Sequence, residues 1–319
     1  MTSGSATILP SDLPAFTVDI PPPDLSPYIP GNTGIPGFTC LESGKAGPHV
    51  VLVSLIHGNE YAGAIVLANL LASGFKPRCG KLTVGFANLA AFARFDLQNP
   101  TASRYLEEDM NRVWDDFSLF GIRHSIELDR AREIKPIIDS ADILLDLHTM
   151  LWPSDPLFLC DTSTAAATLG LEIGTPALVV ADTGHISGKR LIDYGHFTES
   201  RAKNAVSLLL EAGLHWQLET VLQCKTTMHA LLDRAFSLNA PSQPPQSRYA
   251  KVIKTITART NRFQFVREFR GGDIIAKAGT LIAHDGDEEI HTPEDNLILI
   301  MPSLRVGHGH TAVRLAKLV

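Results

Sequence analysis

Apolar residues along this chain fall into short runs, and the stretches between several of them repeat at helical spacing. Val50 to Ile56 reads as a buried strand and Glu60 to Ser73 as a helix, with Ala62, Ile65, Val66, Ala68, Leu70 and Leu71 apolar and Gly74 as its stop. Lys81 to Asn88 predicts another strand, and Ser125 to Ser140 a helix that Pro136 is expected to kink. Further strands are predicted at Ile143 to Leu147, Leu157 to Cys160, Ala177 to Ala181 and Val206 to Glu211. Nearly continuous apolar strands between helical patterns predict an α/β fold: a mixed, mostly parallel sheet with helices on both faces.

The flanks differ. Residues 1–37 are rich in Pro, Ser and Gly, including Pro21-Pro22-Pro23, and read as an extended N-terminal arm. The composition of 239–247 is that of a linker, and beyond it short strand-like segments are punctuated by Gly271-Gly272, Gly279, Asp285-Gly286 and Gly307. The expected organisation is an arm at 1–37, a catalytic domain at 38–238 and a small all-β, barrel-like domain at 248–319. For a chain of 319 residues, about two domains is the default expectation.

Composition narrows the function. Hydrophobic residues at 45% supply ample core, and a net charge of −6 offers nothing to attract nucleic acid or an anionic membrane. No apolar run is long enough to span a bilayer, and the first residues lack a basic-then-apolar secretory pattern. Cys40, Cys79, Cys160 and Cys224 are widely spaced, without a C-x-x-C pair. They read as reduced thiols in apolar surroundings, so a cytoplasmic location is expected.

Two strings carry the chemistry: His57-Gly58-Asn59-Glu60 after the first strand, and Asp146-Leu147-His148-Thr149 at the end of a later one. His57 and Glu60, three positions apart, would converge if the first helical turn followed the strand directly. His148 would complete a His/Glu/His set that leaves one zinc position open, as hydrolytic rather than structural sites do. Between them, Asn111-Arg112 offers amide and guanidinium donors for a carboxylate, and Arg104 could stabilise an oxyanion. A solvated surface loop is the competing reading for these arginines. Glu211, closing an apolar strand, either pairs with a cation or works on substrate as an acid/base.

Taken together these strings resemble the succinylglutamate desuccinylase/aspartoacylase family, relatives of the zinc carboxypeptidases. His-Gly-Asn-Glu resembles its first zinc motif, Asp146-Leu147-His148 its second, Asp109-Met110-Asn111-Arg112 its D-x-N-R and Leu210-Glu211-Ala212-Gly213 its V/L-E-x-G. The likeness runs from about residue 45 to 315. It implies one zinc per chain held by His57, Glu60 and His148, with Glu211 as general base and a small N-acyl amino acid as substrate. It also implies that an arginine about ten residues before the base binds a substrate carboxylate. Arg201 stands at that spacing and Arg190 competes for the part. The run Leu214-His215-Trp216-Gln217 departs from the short loop of the better-known members, and a helix is expected to begin there. A zinc carboxypeptidase acting on short peptides and a non-catalytic binding module remain alternatives, and a homo-oligomer is possible.

Overall fold

A computed structural model describes residues 16–184, 187–198, 205–236 and 247–319. The chain divides into two compact units. One comprises Val18–Thr149 and Pro156–Arg248; the other comprises Met150–Asp155 and Tyr249–Val319 together with Phe16 and Thr17.

The first unit is an α/β layer structure. Its elements in chain order are β1 (Phe38–Glu42), β2 (His49–Ser54), α1 (Ala62–Ala72), β3 (Lys81–Phe86), α2 (Leu89–Phe92), α3 (Asp116–Phe120) and α4 (Ile126–Asp139). Then follow β4 (Ile143–Met150), β5 (Leu157–Cys160), α5 (Thr164–Ile173), β6 (Leu178–Ala181), β7 (Val206–Leu214) and α6 (Leu218–Phe236). The strands lie in the order β1-β3-β2-β4-β7-β5-β6. β2 pairs in parallel with β3 and with β4, while β1 runs antiparallel to β3 and β5 antiparallel to β7. The sheet is therefore mixed, as the apolar runs predict.

Both faces are covered. Every residue of β2 is buried, the mark of a strand with helices above and below. On one side Val51, Val53 and Leu144 pack with Leu128, Ala131, Ile134 and Ile138 of α4. On the other, Gly63 of α1 lies so close to β4 and β2 that a Cβ there would meet Leu147 at 2.7 Å and Ser54 at 3.1 Å. α4 is one continuous helix through Pro136, capped by Ser125, whose Oγ accepts from Leu128 N at 3.0 Å.

Other differences from expectation are local. Helix α1 starts at Ala62 rather than Glu60, so the ligand string precedes it. β7 runs three residues past Glu211. β1, α2, α3 and α5 have no counterpart in the expected pattern, although Ser163 and Gly174 (φ 76°) bracket α5 as cap and stop. Cys160 and Cys224 are buried, whereas Cys40 and Cys79 are half-exposed, so apolar surroundings hold for only two of the four. No described helix is long and apolar enough to cross a membrane. Of the arm, residues 16–37 are described, and Tyr61 Oη, just before α1, donates to Ile20 O at 2.8 Å. Most of the linker segment, 239–246, lies outside the described residues.

The second unit is antiparallel β. Strands β8 (Arg248–Thr257), β14 (Thr311–Leu318), β13 (Leu297–Ile300) and β10 (Ile274–Ile275) lie side by side. β12 (Glu288–His291), β11 (Leu281–Asp285) and β9 (Phe263–Phe265) form a second sheet. Phe263, Ile282, Leu297, Leu299, Val313 and Leu315 join residues of both sheets in one core.

Candidate active site

β2 and β4 are adjacent, with Ser54 in register with Leu147. From β2 the chain passes through α1 to β3 on one side, whereas after β4 it continues on the other side of the sheet. Such a switch point opens a crevice at the strand C-termini, where α/β proteins place ligands. His57 and His148 both lie at that end.

The chain leaves β2 through Leu55, which adopts φ 60°, a left-handed conformation that leucine rarely takes. That strained residue turns the backbone into a tight His57–Glu60 turn, closed by Glu60 N donating to His57 O at 3.1 Å. The ligand pair is thus held by a turn, not by the helical turn expected from the three-residue spacing. Gly58 makes the turn possible. A Cβ there would stand 2.5 Å from Ala91 C and Phe92 N and 2.6 Å from Ser103 O, all backbone atoms. Gly58→Ala is therefore expected to displace the turn that carries His57 and Glu60 and to lower the metal the protein retains, read by metal analysis of the purified variant beside wild type.

His57, Glu60 and His148 are buried, and their ligand atoms all lie within 4.8 Å of one another. Glu60 sits between the imidazoles, with Oε1 2.9 Å from His57 Nδ1 and Oε2 3.1 Å from His148 Nδ1. These spacings approach the ~3.3 Å edge of a tetrahedron built on zinc–ligand bonds of about 2.05 Å. The opposite nitrogens are engaged: His57 Nε2 meets Asp109 Oδ1 at 2.9 Å, and His148 Nε2 meets Asp146 Oδ2 at 2.9 Å. The Asp146 carboxylate places a proton on His148 Nε2 and directs its Nδ1 inward, the outer support that metal-bound histidines ordinarily have; at His57 Nε2 the Asp109 carboxylate shares the nitrogen with Arg104 Nη2, also at 2.9 Å. His57 Nδ1, although near Glu60, lacks the alignment for a hydrogen bond and is a buried nitrogen without a partner. That orphaned donor atom, with a hard/borderline His/Glu/His set around it, fits a zinc ion.

The charges agree. Burial opposes ionisation of Glu60, but His57 and His148 outweigh it and hold the carboxyl well below its usual range. Asp109 is likewise lowered, against burial, by His57 and Arg104. Burial disfavours charge on His148 too, yet Asp146 and Glu60 raise its pKa well above the ordinary histidine value. A cation must therefore displace a proton from His148, so metal affinity should rise with pH.

Arg104, 37% exposed, reaches into this cluster. Its Nη1 donates to Glu60 Oε1 at 2.8 Å and its Nη2 lies 3.3 Å from Asp109 Oδ2. Asn111 and Arg112 follow on a 3-10 turn whose cap is Asp109. Asn111 Oδ1 accepts from Leu191 N at 2.8 Å, which leaves its NH2 as the end it can offer a ligand. Arg112 donates to Asn111 O at 2.6 Å and lies 4.0 Å from Asp109.

Glu211 lies within β7, opposite Leu157, and not at the strand end where its apolar run stops in the sequence. It is 7% exposed, and its Oε2 is buried with no hydrogen-bond partner. Burial, reinforced by Glu60, pushes its carboxyl up to about 8, with His148 and Arg104 pulling the other way. A carboxyl that can both take and return a proton near neutrality suits acid/base work.

Arg190 is committed elsewhere: it is buried, with Nε 2.7 Å from Asp193 Oδ2 and Nη1 3.1 Å from Asp182 Oδ2. The arginine competing with it, Arg201, lies outside the described residues. Sequence reasoning missed Asp109 as the partner of His57, although it opens the D-x-N-R string, and assigned nothing to His215. The His215 Nδ1 meets Thr149 Oγ1 at 2.5 Å, and Thr149 N donates to Glu60 Oε2 at 2.9 Å. Burial lowers the His215 pKa to about 4, so this imidazole is neutral at physiological pH. Trp216 Nε1, beside it, holds Asn59 O at 2.9 Å.

The succinylglutamate desuccinylase/aspartoacylase catalytic domain, as a family, matches residues 46–235, more than half of the chain. The chain belongs to that family. Solved structures share the fold. A succinylglutamate desuccinylase from Vibrio cholerae superposes with a TM-score of 0.67 at 19% identity, covering 89% of this chain and 86% of that one. A succinylglutamate desuccinylase/aspartoacylase from Rhodobacter sphaeroides gives 0.65 at 19% identity, covering 88% of each chain. The product-bound ectoine utilization protein EutE (DoeB) from Ruegeria pomeroyi gives 0.63 at 15% identity, again covering 88% of each.

Proposed function

We propose that this protein is a zinc-dependent hydrolase that cleaves the amide bond of a small N-acyl amino acid, with one zinc per chain. The observation that carries the reading is the convergence of two Nδ1 atoms and the Glu60 carboxylate; Glu211, whose carboxyl feels the charges of His148 and Glu60, adds a buried oxygen without a hydrogen-bond partner. Membership in a family named for two deacylases supports the same reading.

A zinc ion held by His57, Glu60 and His148 would act as a Lewis acid toward water and toward a carbonyl oxygen. Asp146 keeps the His148 imidazole in one tautomer and orientation, and Asp109 orients that of His57. Glu211 takes a proton from the attacking water as its oxygen bonds to the amide carbon. It then returns that proton to the nitrogen as the carbon–nitrogen bond breaks, giving an amine and a carboxylic acid whose remaining proton passes to the amine or to solvent. Arg104 donates to the carbonyl oxygen as negative charge develops there. Asn111, through its NH2, and Arg112 hold a substrate carboxylate, and Arg201 is a further candidate for that part. The substrate is a small molecule, and the cytoplasm is the compartment that best suits four unpaired thiols.

A panel of N-acyl amino acids, assayed beside dipeptides after chelation and zinc restoration, tests the assignment. Zinc-restored turnover of at least one N-acyl amino acid, with dipeptides inert, is the expected result. Turnover of dipeptides alone would favour a carboxypeptidase.

A further inference from the structure

The residues assigned to substrate sit on a stretch with very little regular structure of its own. Between α2 and the 3-10 turn at Met110–Arg112, the backbone from 93 to 109 forms neither helix nor strand. Such a stretch must find hydrogen-bond partners elsewhere or from water, and it moves unless something holds it. Gly58 N ties Arg104 O at 3.0 Å, and beyond that point one side chain gathers three consecutive residues. Glu127, in the first turn of α4 and 0% exposed, accepts from three consecutive backbone N–H groups. Its Oε1 takes Leu106 N at 2.7 Å, and its Oε2 takes Glu107 N at 3.1 Å and Glu108 N at 3.3 Å. Asn88 Nδ2 adds a fourth donor to Oε1 at 3.2 Å. No cation is bonded to this carboxylate among the described residues; amide donors alone satisfy it.

The grip is reciprocal. Glu107 Oε2 accepts from Ile126 N at 2.6 Å, and Glu108 Oε1 accepts from both Ser125 Oγ and Arg123 Nη1. Residues 106–108 and 123–127 are therefore clasped from both sides, two residues after Arg104 and one before Asp109. The metal ligands lie on other segments, the turn after β2 and strand β4.

We propose that Glu127 is a positioning residue for the reaction: it sets the place of the segment that carries Arg104, Asn111 and Arg112, without touching zinc or substrate. The proposal rests on the deacylase reading for its kinetic consequence. Glutamine at this position keeps the volume but turns an NH2 toward backbone N–H groups, so at least one of the three is left facing a donor. Misplacement by about 1 Å costs on the order of 10²-fold when reacting groups must be aligned.

Glu127→Gln in the full-length protein is expected to raise KM about 10-fold and to lower kcat/KM by about 30- to 100-fold. Zinc should remain at one per chain. Hydrogen exchange at the amides of 106–108 should quicken, while exchange in β2 and β4 stays unchanged. Glu127→Asp, which keeps the charge on a shorter arm, should fall between the two. A role confined to general stability would instead remove a fraction of active molecules, lowering apparent kcat and zinc content together with KM constant. That pattern, or unchanged exchange at 106–108, would overturn the proposal, as would loss of folding in both variants. The exchange measurement needs no substrate, so it stands even if the zinc-loaded wild type fails to hydrolyse any N-acyl amino acid; that failure would count against the deacylase reading alone.

Discussion

Glu211→Gln is expected to leave zinc bound and to cut kcat by 10²–10⁴-fold, the range ordinarily lost with a general acid/base. The amide keeps the shape of the carboxyl in β7 but can neither take the water proton nor return it. A second consequence concerns pH. Burial holds the Glu211 proton to about 8 in the protein itself, and a nearby dication would lower that value. The base form thus appears as pH rises, and kcat/KM should climb with pH along a limb whose midpoint lies between about 4.3 and 8. In the glutamine variant that limb should vanish. The same shift affects stability with a definite sign. A carboxyl whose folded pKa exceeds its unfolded value stabilises the fold below the unfolded pKa and loses that contribution as pH rises to the folded one. Metal-free Glu211→Gln should therefore melt above metal-free wild type at pH 8, by about 5 °C, and match it near pH 4. A variant with near-normal turnover would move the base elsewhere.

Alanine at His57 or His148 is expected to have the largest effect on metal. Each change removes one of three ligands; Asp109 would keep Arg104 and Asn111 N as partners, whereas Asp146 would lose its imidazole. Asp146 has its second oxygen buried without a partner already, so His148→Ala leaves a buried charge almost unmet. Zinc retained after dialysis should fall close to zero and activity to about 1% or less, without recovery on adding zinc at concentrations that restore chelated wild type. Titration calorimetry of the metal-free proteins would measure the loss of affinity directly.

The degree to which the sequence disclosed this site follows from how each residue is held. His57, Glu60 and His148 were legible because ligand residue types stand next to apolar runs, and adjacent parallel strands bring such run ends together. The turn that aims His57 and Glu60 was not legible, because it depends on Leu55 in a left-handed conformation and on the close passage of Gly58 past distant backbone. Glu211 reads as a strand terminus only because charge usually ends a buried run; here the strand continues and keeps the carboxyl inside. Glu127 carries no local signal, since its partners are backbone N–H groups some twenty residues earlier. Helix α5 had caps in plain view at Ser163 and Gly174, whereas β1 is a short edge strand with only Phe38 fully buried. The small β unit was readable from its glycine punctuation. Arg190, the competitor of Arg201, is committed to Asp182 and Asp193, a fact that no spacing rule contains.

The central claim is that two histidines and one glutamate gather around a single zinc ion. Zinc X-ray absorption on the purified, zinc-loaded protein reads that arrangement most directly. The expected spectrum shows one zinc per chain, two imidazole nitrogens at about 2.0–2.1 Å and oxygen at about 2.0–2.2 Å, with one imidazole missing in whatever zinc His148→Ala retains. A sulfur scatterer near 2.3 Å, or an unchanged spectrum in that variant, would contradict it.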